Sequence, residues 1–213
     1  TSINADQSAD VYAYAIDQHG NLVTGQTITY SVSNGSMLGS TFYPYSVGTH
    51  IVSAQWSGPS NTLTQDLSVT VSPGQAQTVE LSGCDIVVNA DTTCDLYATV
   101  FDQYDNLVWF DEVGTYSLSS TNGQTEKLQP NTPHSQPPQA NVLIGRFTGH
   151  DVGTWAISIT TNAGLTDLIL VEVSHGAMAS LELNASASTI TADEVVYLNT
   201  TRIDVRGNRL PVS

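Results

Sequence analysis

The sequence predicts an all-β chain of tandem antiparallel β-sandwiches, and three observations carry that expectation. Alternating apolar and polar runs recur, with turn residues about every eight to twelve positions. Whole blocks of sequence return at fixed offsets, the mark of a repeat architecture. Charged residues make up 12 % of the 213 positions, about half the usual share of a soluble domain. Val, Ile, Thr and Tyr are prominent instead, as suits exposed pleated sheet. No stretch shows a sustained helical period with caps.

The elements follow in order. Val11, Ala13 and Ala15 alternate with Tyr12, Tyr14 and Ile16, and His19-Gly20-Asn21 ends that strand in a turn. Thr27–Val32 is a second period-2 run, closed by Asn34-Gly35. Further turns are marked at Ser57-Gly58-Pro59, Asn122-Gly123 and Asn162-Ala163-Gly164, and Gly153–Thr160 is a late strand. About seven short strands in a unit of roughly 85–100 residues describes a two-sheet sandwich.

The repeat sets the register. Asp17-Gln18-His19-Gly20-Asn21-Leu22-Val23 returns 85 residues later as Asp102-Gln103-Tyr104-Asp105-Asn106-Leu107-Val108, and eleven of the twenty-one positions in Ile3–Val23 are identical. A third copy closes on Asp204-Val205-Arg206-Gly207-Asn208, 102 residues after the second. At the same offset, Gly74-Gln75-Ala76-Gln77-Thr78-Val79-Glu80-Leu81 matches Gly176-Ala177-Met178-Ala179-Ser180-Leu181-Glu182-Leu183. Val47-Gly48-Thr49-His50 matches Val152-Gly153-Thr154-Trp155, which marks His50 as a packing position.

The string Tyr12–Tyr30, an alternating strand ending in Asp-x-x-Gly-Asn followed by a glycine turn and a second strand, resembles the bacterial and archaeal immunoglobulin-like repeats of the invasin and intimin type. Gly153-Thr154-Trp155 ahead of an alternating strand is similar to the same family, and the resemblance covers essentially the whole chain. It implies tandem immunoglobulin-like sandwiches at the cell surface or outside the cell: an adhesin stalk, a surface-layer protein or a filament subunit, serving adhesion or envelope architecture. One departure is Asp105, which stands where the family pattern has glycine. No receptor-binding tip is present, so the resemblance transfers no adhesive residue.

The repeat divides the chain into a unit without its first strand (1–72), a complete unit (73–174) and the opening strands of a further unit (175–213). The segment is expected to be part of a longer repeat protein. The first unit lacks the counterpart of Gln77–Leu81, and its edge is to be covered by preceding residues of the same polypeptide or by a neighbouring chain's strand. The second unit is 17 residues longer than the first offset, with the excess around Thr121–Asn141 and its Pro- and Gln-rich stretch 130–138. That loop is either a tolerated insertion or a contact for a partner.

Charge excludes one class of partner. Twenty acidic residues face five basic ones, a net charge of −15, and Lys127 is the sole lysine. Such a surface repels nucleic acid. There is no apolar run of about eighteen residues, so this segment holds no helical membrane span. The expected partners are neighbouring repeats, or copies of the chain, in a linear or lattice assembly.

Cys84 and Cys94 are ten residues apart, which is wrong for a Cys-x-x-Cys site, and no other cysteine accompanies them. A disulfide in an oxidising compartment is expected. Both lie in one unit, where the other copies have Ser186 against Cys84, and Ala9 and Val196 against Cys94.

Other sites are set against plainer uses. The oxygens of Asp102, Asp105 and Asn106 are the candidates for calcium, but three copies of one turn fit backbone hydrogen bonding and lack the ligand count of a calcium loop. His19, His50, His134, His150 and His175 show no metal spacing. His150-Asp151 has no nucleophile motif beside it, so no enzyme and no cofactor are expected. Sequons make Asn34, Asn184 and Asn199 acceptors for N-glycosylation in a surface compartment. Tyr43, Tyr45, Trp56 and Trp109-Phe110 raise a second function class, a carbohydrate-binding module with cell-surface glycans as partners, against core packing.

Overall fold

Alternation in this sequence puts small and β-branched apolar residues on one face of each strand, and burying that face builds the fold. A computed structural model describes residues 1–59, 61–84, 87–130 and 136–210. Its regular structure is β-strand, apart from one 3-10 turn at Phe110–Val113. No described helix is long and apolar enough to cross a membrane. Contacts gather the chain into two units, Thr1–Thr78 with Val100–Glu112, and Val79–Thr99 with Val113–Ser213. The sequence repeat draws its boundaries elsewhere, because it follows copies and not contacts.

The first nine strands are β1 (Ser2–Asn4), β2 (Ala9–Asp10), β3 (Ala15–Ile16), β4 (Leu22–Val23), β5 (Ile28–Val32), β6 (Ser36–Leu38), β7 (Thr41–Tyr43), β8 (Gly48–Ser57) and β9 (Thr62–Ser72). They form one sheet in the order β1-β9-β8-β5, a second in the order β2-β7-β6, and the hairpin β3-β4. The β8–β9 hairpin is the longest pairing, running from Gly48↔Val71 to Ser57↔Thr62. Ala5, Val11, Phe42, Val52, Val69 and Val71 make the core, with Ile3, Tyr30, Val32 and Met37 packed against it.

The second repeat contributes β10 (Thr78–Gly83), β11 (Val87–Asn89), β12 (Thr93–Phe101), β13 (Tyr116–Ser120), β14 (Gln124–Lys127), β15 (Val142–Thr148), β16 (Gly153–Thr161) and β17 (Thr166–Ser174). Their sheets run β10-β12-β15-β14 and β11-β17-β16-β13. Leu96, Phe147, Ile157, Val171 and Val173 are fully buried at the positions that Val11, Phe42, Val52, Val69 and Val71 hold in the first copy. The two copies therefore share one core pattern with different side-chain sizes.

Two details differ from the sequence-based expectation of seven antiparallel strands. Among its described residues the complete repeat has eight strands, with β10 and β11 in place of one first strand. Gly83 and Cys84 both have positive φ (106° and 52°), and beyond them the chain joins the opposite sheet. There β11 pairs parallel with β17, as β1 pairs parallel with β9. Part of the expected inserted loop is also strand: Gln124–Lys127 pairs with β15. Residues 131–135 of that loop lie outside the described residues.

Cys84 and Cys94 are joined in a disulfide that ties the break after β10 to β12. The Tyr116 hydroxyl donates among the carbonyls of Leu128 and Ile144, the latter at 2.7 Å. Burial pushes the Tyr116 phenol up to about 12.

The last strands, β18 (Met178–Ala185), β19 (Leu198–Asp204) and β20 (Arg209–Leu210), form a sheet in that order. Every residue of β18 is exposed, including Leu181 and Leu183, which repeat the buried Val79 and Leu81 of β10.

Candidate interaction site at the Asp-x-x-Gly-Asn turns

A turn that reverses direction in five residues leaves amide groups without ladder partners, and a carboxylate at its first position can collect them. Asp102 does so. Its Oδ1 accepts from the N–H groups of Tyr104 (2.9 Å) and Asn106 (3.0 Å). Its Oδ2 accepts from the Asn106 side-chain amide at 2.9 Å. The fourth turn residue must adopt a left-handed conformation, with φ of 83° at Gly20, 61° at Asp105 and 90° at Gly207. Aspartate is among the few non-glycine residues that tolerate it, which explains the departure at Asp105.

The Asp102 turn also reaches beyond itself, within the first unit. Asp102 Oδ2 accepts the Gly74 N–H at 2.8 Å. Asn106 donates from Nδ2 to the Tyr45 carbonyl at 3.0 Å and accepts the Val47 N–H on Oδ1 at 3.2 Å. Beside it, Asp6 accepts the Gln75 N–H at 2.5 Å and the Gln103 side chain at 2.8 Å. A Cβ on Gly74 would fall 2.4 Å from Asp6 Oδ1, so only glycine lets the backbone come this close.

The second unit repeats these bonds on the same atoms, except that Val205 stands in place of Gln103 and leaves Asp91 without that side-chain donor. Asp204 Oδ2 accepts the Gly176 N–H at 2.9 Å, and its Oδ1 accepts from Arg206 and Asn208. Asn208 donates to the His150 carbonyl at 2.9 Å and accepts the Val152 N–H at 3.3 Å. Asp91, the counterpart of Asp6, accepts the Ala177 N–H at 3.3 Å. The first copy differs. Asp17 accepts from His19 and Asn21 within its own turn and from nothing else among the described residues. Asp102 and Asp204 are each 2 % exposed, whereas Asp17 is open to solvent.

All three carboxyls sit below their ordinary range, for different reasons. For Asp102 and Asp204, burial is the largest single influence and pushes upward. It is outweighed together by the glycine N–H, the asparagine side chain and the turn N–H groups. For Asp17, the Asn21 side chain is the main cause. A carboxyl lowered in the folded state contributes stability above its unfolded pKa of about 3.9 and loses it as pH falls through the folded value. The stability difference between wild type and Asp204→Asn is therefore expected to be constant from pH 7 to about pH 5 and to shrink below about pH 4. Denaturation midpoints of both proteins across that range measure it, and a difference that grows in acid would contradict the sign.

Other candidate residues are divided in use. Asp102 offers its oxygens to N–H donors, and among the described residues no three of His, Cys, Asp and Glu gather where a metal could sit. His50 is buried, with Nε2 donating to the carbonyl four residues back at 2.8 Å, and Trp155 Nε1 makes the same bond to Asp151 at 2.9 Å. The pair is thus one packing position, as the alignment implies. His150 and Asp151 act through their backbone, His150 towards Asn208, and Asp151 towards Asn122 and Trp155.

The aromatics expected to form one sugar-stacking face differ in burial and bonding. Phe110 is core, and Trp56 Nε1 donates to Gln26 at 2.8 Å. Tyr45 packs tilted against Tyr104 with ring centres 5.5 Å apart. Asn34, Asn184 and Asn199 are all exposed. The Asn34 amide donates to Ser46, and Asn184 lies opposite Asn199 across the β18–β19 ladder. Sequence reasoning missed Asp6, Asp91, Gly74 and Gly176 as bonding residues. The signal was present, since all four lie in blocks that return at the repeat offsets.

No protein-family model and no curated protein sequence matches this chain. Solved structures do. One is invasin, titled a bacterial integrin-binding protein, with a TM-score of 0.51 at 14 % identity, covering 92 % of this chain and 43 % of that one. Another is InvD of Yersinia pseudotuberculosis, with a TM-score of 0.50 at 17 % identity, covering 98 % of this chain and 69 % of that one. This chain spans less than half the length of the invasin chain. The likeness shows the fold: immunoglobulin-like β-sandwiches in tandem, of the kind seen in invasin.

Proposed function

We infer that this chain is a structural part of a cell-surface or extracellular array of tandem immunoglobulin-like repeats, acting as a stalk or lattice element. The carrying observation is the twofold recurrence of one bonding pattern. In each unit an Asp-x-x-Gly/Asp-Asn turn from one sequence repeat is bonded to the loop at Tyr45–Val47, or its counterpart His150–Val152, of the repeat before it. A device repeated at each boundary couples consecutive repeats, which is what a load-bearing or spacing element needs and an enzyme does not. The low lysine content, the surplus of acidic residues and the disulfide fit an extracellular setting. The invasin likeness, which itself shows fold alone, agrees with that setting.

Protease treatment of intact cells tests the reading. An antibody against this segment should label unbroken cells, and the signal should vanish after mild external proteolysis. Signal that appears only after lysis would overturn it.

A further inference from the structure

An Asn-Gly turn occurs once in each of the first two repeats, and the two copies use the asparagine differently. Ser31-Val32-Ser33-Asn34-Gly35 returns as Ser119-Ser120-Thr121-Asn122-Gly123. The residue before each asparagine donates its N–H to the neighbouring strand, Ser33 to the Ile51 carbonyl and Thr121 to the Ala156 carbonyl, so the two turns are placed alike.

Asn122 is committed to the fold. It is 7 % exposed, its Nδ2 donates to the Asp151 carbonyl at 2.7 Å, and its Oδ1 accepts the Asp151 N–H at 3.1 Å. Two residues on stands Gln124, where an acceptor sequon needs Ser or Thr. Asn34 is exposed, and Ser36 stands two residues on. The Tyr45 hydroxyl donates to that Ser36 hydroxyl at 2.6 Å. Asn34 Nδ2 donates to the hydroxyl of Ser46, the counterpart of Asp151, at 2.8 Å. A side-chain amide nitrogen carries two hydrogens, so this bond leaves one free for substitution. The other two sequon asparagines, Asn184 and Asn199, lie directly opposite each other in the β18–β19 ladder, where a saccharide on one would crowd the other. Asn34 lies in the loop between β5 and β6, outside any ladder.

We propose that Asn34 is an N-glycosylation site whose saccharide stands beside the loop that couples the repeats, whereas Asn122 keeps the same turn as a structural residue. Ser46 lies between Tyr45 and Val47, the two residues that Asn106 holds. The donor is a saccharide on a lipid-linked phosphate. The bond from its anomeric carbon to the phosphate oxygen breaks, the bond from that carbon to Asn34 Nδ2 forms, and the lipid phosphate leaves with one amide proton. The remaining Nδ2 hydrogen keeps the Ser46 bond, so the modification removes no contact from the fold. The inference rests on the cell-surface reading, because such acceptors lie on surface loops of secreted proteins.

Peptide mass spectrometry of the protein taken from its own cells tests the site. The peptide spanning Asn34 should carry a saccharide, and the peptide spanning Asn122 should carry none. In the same cells, Asn34→Gln and Ser36→Ala should each lose the saccharide, and Ser36→Thr should retain it. A bare Asn34, or one merely converted to aspartate, overturns the proposal, as does a saccharide that survives Ser36→Ala. A saccharide on Asn34 of a protein that fails the intact-cell test leaves the site standing and removes only the surface role. Surface labelling with a bare Asn34 overturns the site and leaves the surface role intact.

Discussion

Asp102→Ala is expected to destabilise the first unit by about 3 kcal/mol, since it strips partners from several N–H groups beside a buried position at once. The Gly74, Tyr104 and Asn106 N–H groups all lose their acceptor, and the Asn106 side chain loses the carboxylate that aims it at Tyr45 and Val47. Native-state hydrogen exchange reads this directly: the Gly74 and Val47 amides should lose most of their protection. Asp17→Ala removes the same residue from the same motif, but from an exposed turn with no bond outside itself. It should leave the amides of Gly74 and Val47 unchanged. Equal effects of the two substitutions would show that the turn acts only locally and would remove the coupling role.

Loss of the Cys84–Cys94 disulfide is the second large effect. Closing a loop of this length restricts the unfolded chain by about 3 kcal/mol in the chain-entropy model. The bond also sits where the first strand leaves one sheet for the other, next to two residues of positive φ. The Cys84→Ser, Cys94→Ser protein is therefore expected to unfold at lower denaturant concentration by about that free energy, with its largest exchange increase in β10 and β11. Comparing oxidised and reduced wild type controls for the substitution itself. A midpoint unchanged by reduction would assign the bond no role in holding the two strand halves.

The repeat made much of the fold legible. Several core positions of the second copy match those of the first, because burial on a strand recurs every second residue and survives changes of side-chain size: Val11 for Leu96, Val52 for Ile157. The break between β10 and β11 was not legible. It depends on φ values at Gly83 and Cys84 that the residue types permit but do not demand, above all at a cysteine. Strand β14 was hidden for a related reason, since Gln124–Lys127 is polar and acquires its pairing only from β15.

The sequence by itself determined the all-β class, the copy register, the pairing of its only two cysteines and the turn-forming role of Asp17, Asp102 and Asp204. These rest on local periodicity, composition and near-neighbour hydrogen bonding, which identical residues carry from copy to copy. Only the tertiary structure decided what each copy of the turn does. Asp102 and Asp204 are buried because a glycine N–H 28 residues earlier and a distant loop close over them, while Asp17 carries the same motif in the open. The motif is local, but its environment is set by long-range contacts, and those contacts turn one repeated sequence into two buried, cross-bonded turns and one that is bonded within itself.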